Sequence, residues 1–227
     1  MKKLLRLYHS VAKRALMDVQ RMIEHYKEFK RYHFKEHEEL FIELAKKGQS
    51  PKTLFIGCSD SRVVPSLITG AKPGDLFVFR NIGNFVPPFK PDKEFHATAA
   101  AIEYAVSVLE VQDIIVCGHS HCGACESLYK DIPDRIELIH TKKWLELGSK
   151  AKEMAIEEVG TEDKELLLRT TERLSILVQL ENLLTYPEVK RRVEDGQLFL
   201  HGWYFVIESG QIEYFDEEQG DFIPIEP

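Results

Sequence analysis

Residues 113–125 read DIIVCGHSHCGAC, and within that stretch one kind of structure gives way to another. The run from Asp113 to Gly118 is short, apolar and β-branched, and it stops at a glycine. That is the pattern of a strand buried on both faces, as parallel sheets require. Two histidines and two cysteines follow, with a helix predicted to begin near Gly123. Reactive side chains therefore crowd the carboxyl end of a predicted parallel strand.

Outward from there, the same arrangement occurs a second time. TLFIG (53–57) is an apolar run that ends at Gly57 and leads directly into CSDSR (58–62). DLFVFRN (75–81) reads as a further strand after KPG. EFHATAAAIEYAVSVLE (94–110) reads as a helix whose small residues allow close packing. Residues 134–160 read as largely helical without sharp boundaries. A long helix is predicted from Thr161 to Leu184, with TEDKE as its start signal and Pro187 as its stop. LFLHGWYFVIESGQIEYF (198–215) is predicted to form a hairpin turning at ESGQ. Upstream, residues 11–47 place Met22, Tyr26, Phe29, Leu40, Phe41 and Leu44 at helical spacing, up to Gly48 and Pro51. That predicts a pair of amphipathic helices. Strands alternating with helices indicate an α/β fold with a mainly parallel β-sheet core flanked by helices on both faces. An N-terminal helical arm over 1–47 precedes it. No internal repeat, low-complexity run or linker is visible, so 1–227 is read as a single domain.

Composition narrows the function classes. A chain of 227 residues, 44% hydrophobic and 30% charged, supports one substantial core and is not disordered. The net charge of −7 leaves no basic footprint for nucleic acid. The opening MKKLLRLYHSVAKRAL is basic, but Arg6, His9, Lys13 and Arg14 break its apolar run and no small-residue cleavage site follows. No stretch approaches the roughly 18 apolar residues of a membrane span. The expectation is a cytoplasmic protein without a membrane partner. In that compartment four cysteines serve as ligands or catalytic thiols more readily than as disulfides.

In open α/β sheets ligands bind beyond the carboxyl ends of strands, where neighbouring loops diverge. Two such loops can bring Cys58, His119 and Cys122 together. Two thiolates and an imidazole suit zinc, and three protein ligands leave a fourth position for water, as catalytic sites do. Cys117 lies inside the strand and reads as a small buried apolar side chain, and Cys125 can be read the same way. A thiol–disulfide oxidoreductase using Cys122 and Cys125 as C-x-x-C is the competing class. It would leave Cys58, Asp60, Arg62 and His119 without roles. HFKEH (33–37) matches a zinc-protease pattern, but it has no evident third ligand and reads as a solvated helix face. His201 is read as core or interface.

CSDSR (58–62) and GHSHCG (118–123) resemble the two signature segments of β-class carbonic anhydrases. The likeness extends from about Lys46 to Gly210, through FRNIGNFVPP, AAIEYAV and NLLTYPEV. The resemblance implies a carbonate dehydratase, a lyase, with one zinc ion per chain on Cys58, His119 and Cys122. The implied reaction is reversible hydration of carbon dioxide to bicarbonate and a proton, by attack of zinc-bound hydroxide. Hydrolysis of carbon disulfide or carbonyl sulfide on the same zinc site is the alternative within the family. The family pattern places the ligand histidine at His119 rather than His121, and makes Asp60 and Arg62 a catalytic dyad beside the metal. It also implies a homodimer or a dimer-based tetramer, with active sites near the subunit interface. Gln49, Phe77, Ile82 and Tyr104 match the substrate-binding residues of the plant-like branch. The other branch binds regulatory bicarbonate with a Trp–Arg–Tyr trio. Here those positions are Phe55, Arg80 and Phe205. An open zinc site without a bicarbonate switch is therefore expected.

Overall fold

Six strands join into one sheet in the computed structural model, which describes residues 19–92 and 94–226. They are β1 (Thr53–Cys58), β2 (Leu76–Asn81), β3 (Asp113–His119), β4 (Phe199–Val206), β5 (Gln211–Asp216) and β6 (Asp221–Pro224). Their order is β2-β1-β3-β4-β5-β6, parallel across the first four and antiparallel across the last three. The mainly parallel core and the β4–β5 hairpin turning at residues 207–210 are as expected, whereas β6 is an addition to the sequence reading. The opening segment read for a leader, and residues 11–18 of the predicted helical pair, lie outside the described residues.

The chain divides into two compact units, Met1–Gln49 and Ser50–Pro227. In the first, α1 covers 19–31, α2 is His33–Glu36 and α3 is Glu38–Lys47. His37, at φ −114°, breaks the helical path, so the two histidines of HFKEH do not share one continuous helix. The rings of Phe34 and Phe41 stack across this break with centroids 5.4 Å apart.

The second unit holds the sheet. Leu54 and Ile56 from β1, and Ile114 and Val116 from β3, are fully buried on one face. Helix α9 (Lys164–Leu183) covers that face with Ile176 and Leu183. It begins where the Asp163 side chain accepts from the N–H groups of Glu165 and Leu166, both at 3.0 Å, so the cap lies within TEDKE. It runs very close to β3: a Cβ on Gly118 would lie 2.8 Å from Ile176 Cδ1 and Cγ1. Phe55, Ile115 and Cys117 form a smaller buried cluster together, with Trp203 and Phe205 against it. Pro187 does more than stop α9. It is the first residue of α10 (Pro187–Glu194), a position where its missing N–H and fixed φ do no harm.

The remaining helices are short. They are α4 (Pro65–Thr69), α5 (Ala97–Glu103), α6 (Gly123–Ser127), α7 (Ile139–Leu145) and α8 (Ser149–Val159). The predicted helix over 94–110 is α5 followed by a π-helical turn, Tyr104–Val108. Among the described residues, no helix is long and apolar enough to cross a membrane.

Candidate metal centre

Strands β1 and β3 are direct neighbours, in register from Thr53–Asp113 to Gly57–Cys117, so their carboxyl ends emerge side by side. Cys58 ends one and His119 ends the other. The backbone pairing of β3 with β4 continues one residue further, where Ser120 N donates to Phe205 O at 2.9 Å. His121 then takes φ +54°, a left-handed conformation that costs a residue bearing a Cβ about 1–2 kcal/mol. The reversal carries Cys122 back towards Cys58 and starts α6.

The ligand atoms of Cys58, His119 and Cys122 all lie within 4.8 Å of one another, and all three residues are buried. His119 Nδ1 lies 2.8 Å from Ser120 O; the acceptor is a carbonyl, so Nδ1 carries the proton. Its Nε2 lone pair is left buried without a hydrogen-bond partner. Such a group is costly unless something takes it up. The two thiols face the same constraint. Metal-free, Cys58 is pushed up to about 12 by its hydrogen bond with Cys122 and then by burial. Cys122 is raised as well, first through Cys125. A dication relieves all three at once: it takes the imidazole lone pair and offsets two thiolate charges. Bonds of about 2.0–2.3 Å to nitrogen and sulfur are compatible with this spacing. Among the described residues this is the one cluster of histidine, cysteine or carboxylate side chains arranged to hold a metal.

The surroundings fix the three donors. Gly83 donates its N–H to Cys58 Sγ at 3.4 Å. Its φ is +76°, and a Cβ there would lie 2.8 Å from Ala124 Cβ, so only glycine fits. Cys122 N donates to Glu172 Oε1 at 2.9 Å; Glu172, from α9, is buried and also accepts from Arg169 and from Tyr204 OH. Burial pushes the Glu172 carboxyl up against these partners. Phe85, Ala124, Cys125 and Leu145 pack around the thiols, and Trp144 donates to Ile82 O at 2.7 Å beside them. Cys125 is thus part of the apolar packing.

Asp60 and Arg62 lie on the turn after Cys58. Arg62 Nε and Nη2 donate to Asp60 Oδ1 and Oδ2 at 2.9 and 2.8 Å, and Arg62 N adds a third bond to Oδ1 at 3.0 Å. The Arg62 guanidinium holds the Asp60 carboxyl well below the usual carboxylate range. Arg80 fixes the same turn by donating to the carbonyls of Cys58 and Asp60, at 2.9 and 2.7 Å.

The sequence-predicted substrate residues divide. Ile82 follows Asn81, the register partner of Cys58, and precedes Gly83, whose N–H reaches Cys58 Sγ; its side chain is half-exposed. Phe77 and Tyr104 pack on each other with ring centroids 5.8 Å apart. Phe77 is four residues before Asn81, which places it roughly 13 Å down the strand from Cys58. Gln49 is exposed at the end of the N-terminal unit. His201 bonds Asp113 across the opposite end of the sheet at 2.8 Å. Glu172 and Gly83 are residues around the three donors that sequence reasoning missed. Glu172 carried a signal, since it falls on the helical stripe of Ile176, Gln179 and Leu183 where an apolar residue belongs.

The family profile described as carbonic anhydrase matches residues 53–212. A carbonic anhydrase of Synechocystis is 41% identical over 207 residues, covering 90% of this chain and 74% of that protein. One from Helicobacter pylori is 40% identical over 203 residues, covering 88% and 91% respectively. Among solved structures, the β-carbonic anhydrase CcaA superposes with a TM-score of 0.85 at 39% identity, over 93% of both chains. A tetrameric β-carbonic anhydrase of Sordaria macrospora gives 0.76 at 31% identity, over 87% of this chain and 96% of that one.

Proposed function

The chain belongs to the β-class carbonic anhydrases, and on that premise we propose that Cys58, His119 and Cys122 hold one zinc ion at its reaction centre. The reaction is reversible hydration of carbon dioxide to bicarbonate and a proton, and the enzyme is a carbonate dehydratase, a lyase. When bound, zinc would supply Lewis acidity that lowers a water's pKa from 15.7 towards about 7, the value of a three-histidine carbonic anhydrase site. Two thiolates neutralise more of the metal's charge and make the water here less acidic than that.

The residues of the chain do the rest. His119, its Nδ1 proton committed to Ser120 O, offers a fixed Nε2 lone pair to the metal. Asp60 is ionised and accepts a hydrogen bond from the attacking water, which orients the oxygen lone pair towards the carbon of carbon dioxide. Arg62 occupies both Asp60 oxygens and so keeps the carboxylate off the metal, leaving the zinc site open. Ile82 provides apolar surface for a small nonpolar substrate beside the thiols. Phe77 and Tyr104 complete the pocket from a second copy of the chain, because within one chain Phe77 lies too far down β2, and Gln49 is proposed as the group that hydrogen-bonds substrate. A homodimer or a dimer-based tetramer follows. Phe55 and Phe205 offer no polar group beside Arg80, whose guanidinium is already engaged by two carbonyls, so no bicarbonate switch operates there. Residues 1–227 work as one cytoplasmic catalytic domain, with 1–47 as its arm.

One observation carries this reading: three buried donors converge within 4.8 Å, one of them an imidazole nitrogen without a partner. Stopped-flow hydration of carbon dioxide with a pH indicator, on zinc-loaded protein, tests it. Rapid turnover that disappears together with bound zinc in Cys58→Ser and His119→Ala is the expected result. Negligible turnover from pH 7 to 9 with zinc retained would turn the search to carbon disulfide and carbonyl sulfide.

A further inference from the structure

Between the ligands His119 and Cys122, the chain reverses on a histidine in a left-handed conformation, and something has to hold it there. The holding group comes from the turn between β4 and β5. Glu208 Oε1 bonds His121 Nε2, and Glu208 Oε2 accepts from Ser120 Oγ at 2.7 Å. Ser120 Oγ in turn accepts from Ile207 N at 2.9 Å. Both residues that separate the two ligands are therefore tied to one carboxylate from a distant hairpin. The far side of the turn is tied as well: Arg62 Nη2 donates to His121 O at 3.0 Å and also to Asp60 Oδ2 at 2.8 Å. Hydrogen bonds run without a gap from Glu208 through His121 to the Asp60–Arg62 pair.

We propose that Glu208 is a positioning residue for the metal, clamping Ser120 and His121 so that His119 Nε2 and Cys122 Sγ stay convergent and His121 O stays turned to Arg62. The proposal rests on the zinc reading above. An isolated exposed ion pair would contribute little. Glu208 differs because it grips two consecutive residues, one of them, Ser120, only 1% exposed. Groups that orient metal ligands at one remove typically change metal affinity by about 10- to 100-fold when lost.

The test follows zinc release from the full-length, zinc-loaded protein to a colorimetric chelator, alongside the visible absorption of the cobalt-substituted protein and thermal unfolding. Glu208→Ala is expected to release zinc about 10- to 100-fold faster and to shift the cobalt bands, with the fold retained. Glu208→Gln, whose amide can still accept from Ser120 and donate to His121, should stay close to the unsubstituted protein. In a background carrying both Ser120→Ala and His121→Gly the same Glu208→Ala change should have a much smaller effect, since both of its side-chain partners are gone. If Glu208→Ala lowers the melting temperature yet leaves zinc release and the cobalt spectrum unchanged, Glu208 is a strut of the hairpin only and the proposal is overturned. An unsubstituted chain that takes up no zinc overturns the metal reading itself, which is visible before any variant is made.

Discussion

Asp60 accepts three hydrogen bonds from Arg62 and none of them involves a metal ligand, so its chemistry can be separated from zinc retention. Asp60→Asn is expected to keep one zinc per chain while kcat falls roughly 100-fold, the scale of a misoriented nucleophile. Zinc analysis beside stopped-flow turnover checks both halves. The thiols make a second prediction. Cys58 sits at about 12 and Cys122 is also raised, so at neutral pH both are protonated until a cation arrives. Zinc uptake must displace those protons, and apparent affinity should rise with pH, by about tenfold per pH unit for each thiol proton displaced. Competition with a chelator between pH 6 and 8 measures the slope; a flat profile would mean the thiols are not both ligands. The meeting of these three donors was legible in the sequence because Cys58 and His119 each end an apolar run, where a parallel sheet gathers its loops, and Cys122 follows His119 by only three residues. Glu172 and Glu208 were not. The backbone of Cys122 meets Glu172, and His121 meets Glu208, only once α9 and the β4–β5 hairpin are placed, and no local pattern encodes either meeting.

Helix α9 is the element on which the centre rests. Glu172 anchors Cys122 N, while further along Gln179 Oε1 accepts from Val86 N at 2.8 Å, so one helix face holds two loops of the site. Glu172→Ala leaves Arg169, Tyr204 OH and Cys122 N without their buried acceptor. Stability should drop by about 3 kcal/mol in urea unfolding, the cost typical of breaking a buried charged network from one side. The apolar runs of β1 to β4 and the cap within TEDKE could be read directly, since strand burial and capping are local chemistry. The two roles of Pro187 could not: the same ring ends one helix and opens the next, and only the path of the chain decides. Nor could the π-helical turn at Tyr104, because AAIEYAV keeps its small apolar residues through a change of helical pitch that periodicity does not register.

For the whole molecule, the proposed sharing of one pocket between two chains makes activity depend on assembly. Phe77 and Tyr104 pack together at a level of the sheet well below Cys58. If a second copy supplies them to the pocket, specific activity should fall on dilution while zinc per chain stays constant. Sedimentation over the same concentrations would show the assembly, a multiple of 26.3 kDa, dissociating in parallel. Activity independent of dilution through that dissociation would show that one chain suffices. The side-by-side ends of β1 and β3 carry a consequence of another kind. Cys58 and Cys122 stand 64 positions apart in the chain, and only the closed β1–β3 ladder brings their sulfurs to one point. An unfolded chain holds no such point, so the ion is expected to bind only after the barrier to folding has been crossed. Removing zinc should therefore leave the refolding rate nearly unchanged and accelerate unfolding instead, making the metal a brake on the return journey rather than a guide on the way in.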